Sequence, residues 1–410
     1  MTLFTQVNTA LIIATVIISL AVLFQKKVRL SPEWRATVTP LASIIGSGFL
    51  VSAPLLLLTA GKWAAAVMLL VVIFAYGLGS NIRFNIRYFE PILNKGNHDY
   101  SIARWLEALS KPALGLAYII SVSFYLKLLS AFALRGAGIS SLMIENILST
   151  CLLLIIGLTG RYRGLAMLES YEIYGVNIKL AIIAAVIVGH LIFNMAHLVD
   201  GSWHLQLYAH DTLWRSIRKL LGILIIVQGF ETSRFLGQAY NGEMRIRTMR
   251  YAQWISGIIY FVFISSTMIV FNNIHSLGET TVIDLCRTVS PFLPLLLIMA
   301  AVMSQFSAAV ADTVGSGGLL DESSNHRIGV KNSYLVITLL AVALTWLTNI
   351  YGIVVIASKA FAVYYALQLS ISISLIINDN KIKHRYLYLY LFVCLFIVMM
   401  SVIIFGISVE

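Results

Sequence analysis

The sequence predicts an all-α integral membrane protein with about twelve transmembrane helices. Three observations point there. Hydrophobic residues make up 59% of the 410 positions, charged residues 11%, and the mean hydropathy is +0.87. A soluble domain carries about 25% charged residues, so this chain has too little polar surface to face water. The apolar runs are also long and continuous, as in LIIATVIISLAVLF. Lipid demands internal pairing of every backbone polar group, which leaves helix bundles and closed barrels. Barrel strands are short and alternate apolar with polar residues, so helices are expected. Finally, basic residues cluster in alternate short loops, the pattern of membrane topology.

Taken in order, a span of roughly 20 apolar residues fits 3–24, 38–60, 62–82, 113–135, 140–158, 173–195, 217–240, 252–273, 288–313, 333–350, 352–377 and 386–407. The first stretch lacks a basic leader and a small-residue cleavage site, so it reads as a retained span. One set of loops carries Lys26, Lys27, Arg29 and Arg35, then Arg83, Arg87, Lys95, Arg104 and Lys111, and later Arg161, Arg163, Arg245, Arg247, Arg250, Arg327, Lys331, Lys381, Lys383 and Arg385. The opposite set is poorer, with Lys62, Arg135, Arg215, Arg218, Lys219 and Arg287. The positive-inside rule puts the first set in the cytoplasm. The net charge of +11 therefore reads as topology, and no nucleic-acid partner is expected. Cys151, Cys286 and Cys394 form no disulfide framework or zinc spacing. The expected location is the inner membrane of a bacterium, with the bilayer and a small molecule as partners and the chain as a monomer or homo-oligomer.

Two spans are interrupted. Gly46 and Gly48 flank Ser47 in the second, with Pro40 before and Pro54 after; in the seventh, Gly229 sits among Gln228, Phe230, Glu231, Thr232 and Arg234. Glycine weakens a helix and frees backbone groups to bind something else, although in membranes it also serves close packing. Four spans separate the breaks. Breaks at the first and sixth helices of a ten-helix core are what a five-plus-five inverted repeat produces. The expected division is an extra N-terminal helix and loop at 1–35, repeats at 36–195 and 217–378, and an extra helix at 386–410.

An ionisable group at the bilayer centre costs roughly 2.5–3.5 kcal/mol on insertion scales, so each needs a partner or a purpose. Lys127, Lys179, Glu231 and Asp312 lie deep, while Arg234 and Lys359 are near enough to the ends to snorkel. Two acids and two bases at depth suggest pairing. No Cys/His cluster, nucleophile elbow or phosphate loop supports an enzyme.

These residues resemble the amino acid–polyamine–organocation (APC) superfamily. Ile45-Gly46-Ser47-Gly48-Phe49 looks like its first-core-helix motif, Gly229-Phe230-Glu231 its sixth, and Asn177-x-Lys179 its fifth, lysine included. The resemblance covers ten core spans, about 36–378; the extra N-terminal helix is more like the sodium–solute symporter branch of the same leucine-transporter-like fold. It implies a substrate site at the broken helices. Amides of Gly46, Ser47 and Gly48 would meet a carboxylate, aided by the helix dipole. Carbonyls at Gln228, Gly229 and Phe230 would accept from an ammonium, with Phe230 as a cover and Glu231 as a protonatable gate. Sodium-coupled members hold an ion between the first and eighth core helices, and Ala42, Ile45, Ala309, Asp312 and Thr313 fit that spacing. Lys179 departs from the sodium pattern, because in proton-coupled or uncoupled members a fifth-helix lysine stands where the ion would be. Lys127 departs from the usual neutral third helix, and is expected either to pair with Glu231 or to contact an anionic substrate group.

The expected function is secondary transport of an amino acid or related small solute by alternating access, with no cofactor and with H⁺ or Na⁺ as the coupling ion, the proton favoured by Lys179. A sodium-coupled symporter and a membrane sensor that keeps the transporter fold are the alternatives.

Overall fold

The computed structural model describes residues 2–94, 100–165, 172–205, 212–273 and 278–409; the Ser47 side chain and Lys95 lie outside the described set. The described secondary structure is helical throughout. The principal helices are α1 (Thr2–Leu23), α2 (Pro32–Ile44), α3 (Ser47–Ala60), α4 (Ala64–Phe84), α5 (Ser101–Gly136), α6 (Leu142–Arg163), α7 (Glu172–Val199), α8 (Leu213–Ile223), α9 (Gly242–Thr267), α10 (Thr281–Val289), α11 (Leu293–Ser323), α12 (Val330–Leu347), α13 (Ile350–Asn378) and α14 (Arg385–Phe405). Their starts follow local chemistry. Ser31 accepts from the Trp34 amide with Pro32 in the first turn, Asn241 accepts from Met244, and Asn349 accepts from Gly352.

The predicted spans fall largely on helix, but 217–240 and 288–313 are interrupted and twelve uniform spans do not emerge. Among the described residues, eight helical stretches are long and apolar enough to cross a membrane. One of them, Gly48–Leu93, runs through two predicted spans as a single stretch, turning at Gly61. The apolar part of α1, Val7–Leu23, is shorter. The broken helices divide into short halves, and α9 opens with Glu243, Arg245, Arg247 and Arg250. The chain is an all-α, multi-span membrane protein.

At the centre stands α5, 89% buried over its most apolar window. It packs most extensively on α11 and α13, while α6 pairs with α12, α1 with α7, α9 with α2 and α4, and α14 with α13. Lys127, at the heart of α5, is 2% exposed. Its ammonium donates to the Thr345 and Thr348 carbonyls at 3.0 and 2.8 Å, capping the C-terminal end of α12. The macrodipole puts negative charge there. Two of its three donors therefore go to carbonyls at the end of another helix, and among the described residues no ion pair joins Lys127 to Glu231. Arg234 does not snorkel either. It meets Glu107 at 3.1 Å, Glu90 at 3.6 Å and the Gln368 amide oxygen at 2.8 Å, and Arg245 closes the group on Glu90 at 2.6 Å. This polar cluster ties the segment Phe230–Gln238 and α9 to α5 and α13.

Candidate functional site

Both interruptions are real breaks in the helical ladder. Ile45 and Gly46 separate α2 from α3, and the last bonds of α2 close as Ile45 N–H to Leu41 and Gly46 N–H to Ser43. Beyond α8 a tight turn, Leu224–Val227, ends at extended Gln228 and at Gly229, whose φ is +118°, before the 3₁₀ segment Phe230–Gln238. That φ is poorly suited to any residue with a side chain.

The two breaks touch one another. A Cβ on Gly48 would overlap the Ile226 carbonyl oxygen and lie 2.8 Å from the Tyr260 hydroxyl. A Cβ on Gly229 would lie 2.7 Å from both the carbonyl carbon and the Cβ of Ser43. Glycine is needed at both positions for close approach. From α9, the Tyr260 hydroxyl reaches both broken segments, donating to the Ile44 carbonyl oxygen at 2.9 Å and lying 3.4 Å from that of Ile226.

On one side of this junction lies a cavity of about 390 Å³, within the size range of small-molecule sites. Ala42, Ser43, Tyr118, Lys179, Thr232 and Asp312 help to line it. These residues lie between the breaks and the basic-loop end of the helices. On the other side, Gly48 and Gln228 border a space of only about 40 Å³, and Phe49 is packed on Phe263 with ring centroids 4.3 Å apart. The larger space thus lies on the basic-loop side of the junction.

Lys179 donates to the Ala42 carbonyl and to Ser304 Oγ, both at 3.1 Å. Ile45 and Gly46 border the small space beside it, together with Ala301 and Ser304. The fifth-helix lysine thus bridges the first broken helix and α11. The register differs from the Ala309/Asp312/Thr313 expectation. Thr313 donates to the Ala309 carbonyl of its own helix at 2.6 Å, and Asp312 lies roughly two helical turns from Ser304. Among the described residues no ion pair joins Lys179 to Asp312. Ala301-x-x-Ser304-Gln305 has the same small-residue spacing, so the pattern occurs in two registers along α11.

The acids have a different environment. Glu231 is fully buried. One carboxyl oxygen accepts from the Gly229 amide at 3.0 Å and from the Tyr365 hydroxyl at 2.6 Å, while the other has no hydrogen-bond partner among the described residues. Phe230 stacks on Tyr365 with centroids 5.5 Å apart, behind the cavity wall. The Gly229 carbonyl is taken by Thr232 Oγ at 2.7 Å. Asp312 Oδ2, the Tyr118 hydroxyl and the Gln228 amide oxygen are also buried without partners among the described residues. Tyr260, Tyr365, Tyr118 and Ser304 carry this geometry, yet nothing marked them in the sequence, because buried tyrosines and serines are ordinary in membrane helices. Among the described residues, no group of three or more His, Cys, Asp or Glu side chains gathers as metal ligands.

Comparison with known proteins fits this architecture. A family profile described as APC superfamily transporter matches residues 26–406. An uncharacterized protein of Aquifex aeolicus (strain VF5) is 46% identical over 339 residues, covering 82% of each chain. With its long apolar helices, broken spans and central cavity, the chain belongs to the APC superfamily of membrane transporters.

Proposed function

We propose that the protein is a proton-coupled secondary transporter of an amino acid or a closely related zwitterion, with a twelve-span, five-plus-five inverted-repeat architecture whose repeats lie at 36–195 and 217–378. The packing supports the repeat. A pseudo-twofold that exchanges the first and sixth core spans also exchanges the third with the eighth and the fifth with the tenth. Accordingly α5 packs against α11, and α5 on α13 is mirrored by α11 on α7.

The observation that carries the functional reading is the charge balance of the cavity. Asp312 and Lys179 both line it. Glu231 and Asp312 each have a buried oxygen without a partner among the described residues. A buried carboxylate is costly unless paired with a cation or protonated. A substrate ammonium at Asp312 supplies that cation, and the substrate carboxylate lies toward Lys179 and the amides that open α3, where a helix N-terminus favours negative charge. Glu231 takes the coupling proton. Its carboxyl is held by both the second break and Tyr365 of α13, so a change in its charge acts on the contact between them. Lys179 disfavours sodium, because its ammonium already occupies the Ala42 carbonyl and Ser304. The cavity on the basic side of the breaks supports an inward-facing state, with alternating access by rocking of the core helices one, two, six and seven.

Ligand-dependent thermal stabilisation tests this reading. Amino acids, simple amines and organic acids are screened with sodium or choline chloride. Zwitterions should raise the melting temperature equally in both salts, and Asp312→Asn should remove the effect. Stabilisation by dicarboxylates alone, or stabilisation that needs sodium, would overturn it.

A further inference from the structure

A second site lies away from the transport cavity, where the basic ends of α4, α9 and α14 meet. A pocket of about 110 Å³ there is lined by Arg83 and Arg87 from α4 and its continuation, Arg250 from α9, and Tyr76, Tyr88 and Tyr388 among others. No carboxylate lines it. Arg83 forms the buried floor. Its guanidinium lies 4.6 Å from the Tyr76 ring centroid, donates to the Tyr76 carbonyl at 3.2 Å and is also held by Gln253. Arg87 and Arg250 are exposed at the rim. Among the described residues, neither makes a side-chain hydrogen bond or an ion pair.

This contrasts with the neighbouring arginines. Arg234 and Arg245, further inside the same end, are neutralised by Glu90 and Glu107. Three guanidiniums left together without an acid repel one another unless an anion joins them. Their planar forks suit a phosphate group. The surroundings indicate where that phosphate comes from. Exposed Trp254 of α9 packs on the pocket residue Tyr76 with ring centroids 5.6 Å apart, and exposed Tyr251, Tyr386 and Tyr390 lie on α9 and α14 within one turn of the pocket residues Arg250 and Tyr388, the placement of an interfacial aromatic belt. Exposed Leu69, Leu70 and Ile73 continue along α4 away from the pocket, an apolar track for acyl chains.

We propose that the Arg83–Arg87–Arg250 pocket binds the phosphate headgroup of an anionic phospholipid, held at the membrane interface between α4, α9 and α14. The site is independent of the substrate reading. By joining α9 to α4 and α14, a bound lipid braces helices that pack on both breaks.

The test uses the full chain purified in neutral detergent, with phosphatidylglycerol, phosphatidylcholine or inorganic phosphate added. Native mass spectrometry and melting temperature are the readouts. Phosphatidylglycerol should bind and stabilise, and phosphatidylcholine and inorganic phosphate should not. Arg87→Gln/Arg250→Gln should weaken phosphatidylglycerol binding about thirtyfold, at roughly fivefold per surface arginine, without changing the lipid-free melting temperature. The charge-matched control Arg163→Gln/Lys331→Gln, at exposed positions on α6 and α12, should retain binding. Equal binding of phosphatidylcholine, undiminished phosphatidylglycerol binding in the pocket variant, equal loss in the control, or stabilisation by inorganic phosphate alone would overturn the proposal.

Discussion

Gly48→Ala probes the junction of the two breaks most sharply. The added methyl would overlap the Ile226 carbonyl oxygen, lie 3.1 Å from its carbon and 2.8 Å from the Tyr260 hydroxyl. Most of that obstruction is backbone, so it cannot be relieved by a rotamer change. Overpacking of this kind costs about 1–3 kcal/mol. Displacing Tyr260 adds the loss of its bond to Ile44, about 1 kcal/mol. Alanine returns up to about 1 kcal/mol through helix propensity, leaving a net loss of roughly 1–3 kcal/mol. The assay is melting temperature in detergent together with uptake in liposomes. Both should fall. Gly318→Ala is the control, since a methyl there meets nothing within 4 Å, and it should be neutral or mildly stabilising. Adding Tyr260→Phe to Gly48→Ala should give a non-additive result, because the two changes share one contact. If Gly48→Ala melts and transports like Gly318→Ala, the close approach of the broken helices is wrong.

Other positions give equally direct expectations. Lys127→Met should lower stability by about 1–3 kcal/mol, by stripping the cap from α12, yet leave substrate affinity intact; lost affinity with unchanged melting would restore its reading as a substrate ligand. Glu107→Gln leaves buried Arg234 short of its main counter-charge and should cost about 3 kcal/mol, measured by melting, with Arg245→Gln non-additive through the shared Glu90. Lys179→Ala vacates the Ala42 carbonyl and Ser304, so sodium should stabilise this variant more than choline does, a difference absent from the parent chain.

Much of the fold was legible because lipid imposes simple rules. Long apolar runs became helices, and Gly46, Gly48 and Gly229 marked the breaks, because only glycine permits the backbone contact found at Gly48 and the φ of +118° at Gly229. Span counting was less secure, since α9 opens with four charged residues and the broken halves are short. Site assignments divided along a clear line. Lys179 was found beside the first break because a charge so deep is costly without a purpose. Lys127 looked equivalent in sequence, but its partners are backbone carbonyls of a helix more than two hundred residues away, and carbonyls leave no trace in side-chain patterns. Likewise Ser304 and Asp312 sit in the same spacing pattern on α11, and only three-dimensional packing selects which one meets Lys179.

The central claim is that an amino-acid-like substrate moves with a proton carried on Glu231. Uptake into proteoliposomes under an imposed proton gradient, with a sodium gradient as comparison, tests it most directly. The parent chain should accumulate the stabilising zwitterion under an inward proton gradient and not under a sodium gradient. Glu231→Gln should keep counterflow exchange while losing proton-driven accumulation. Accumulation driven by sodium alone, or undiminished proton-driven accumulation by Glu231→Gln, would contradict the account.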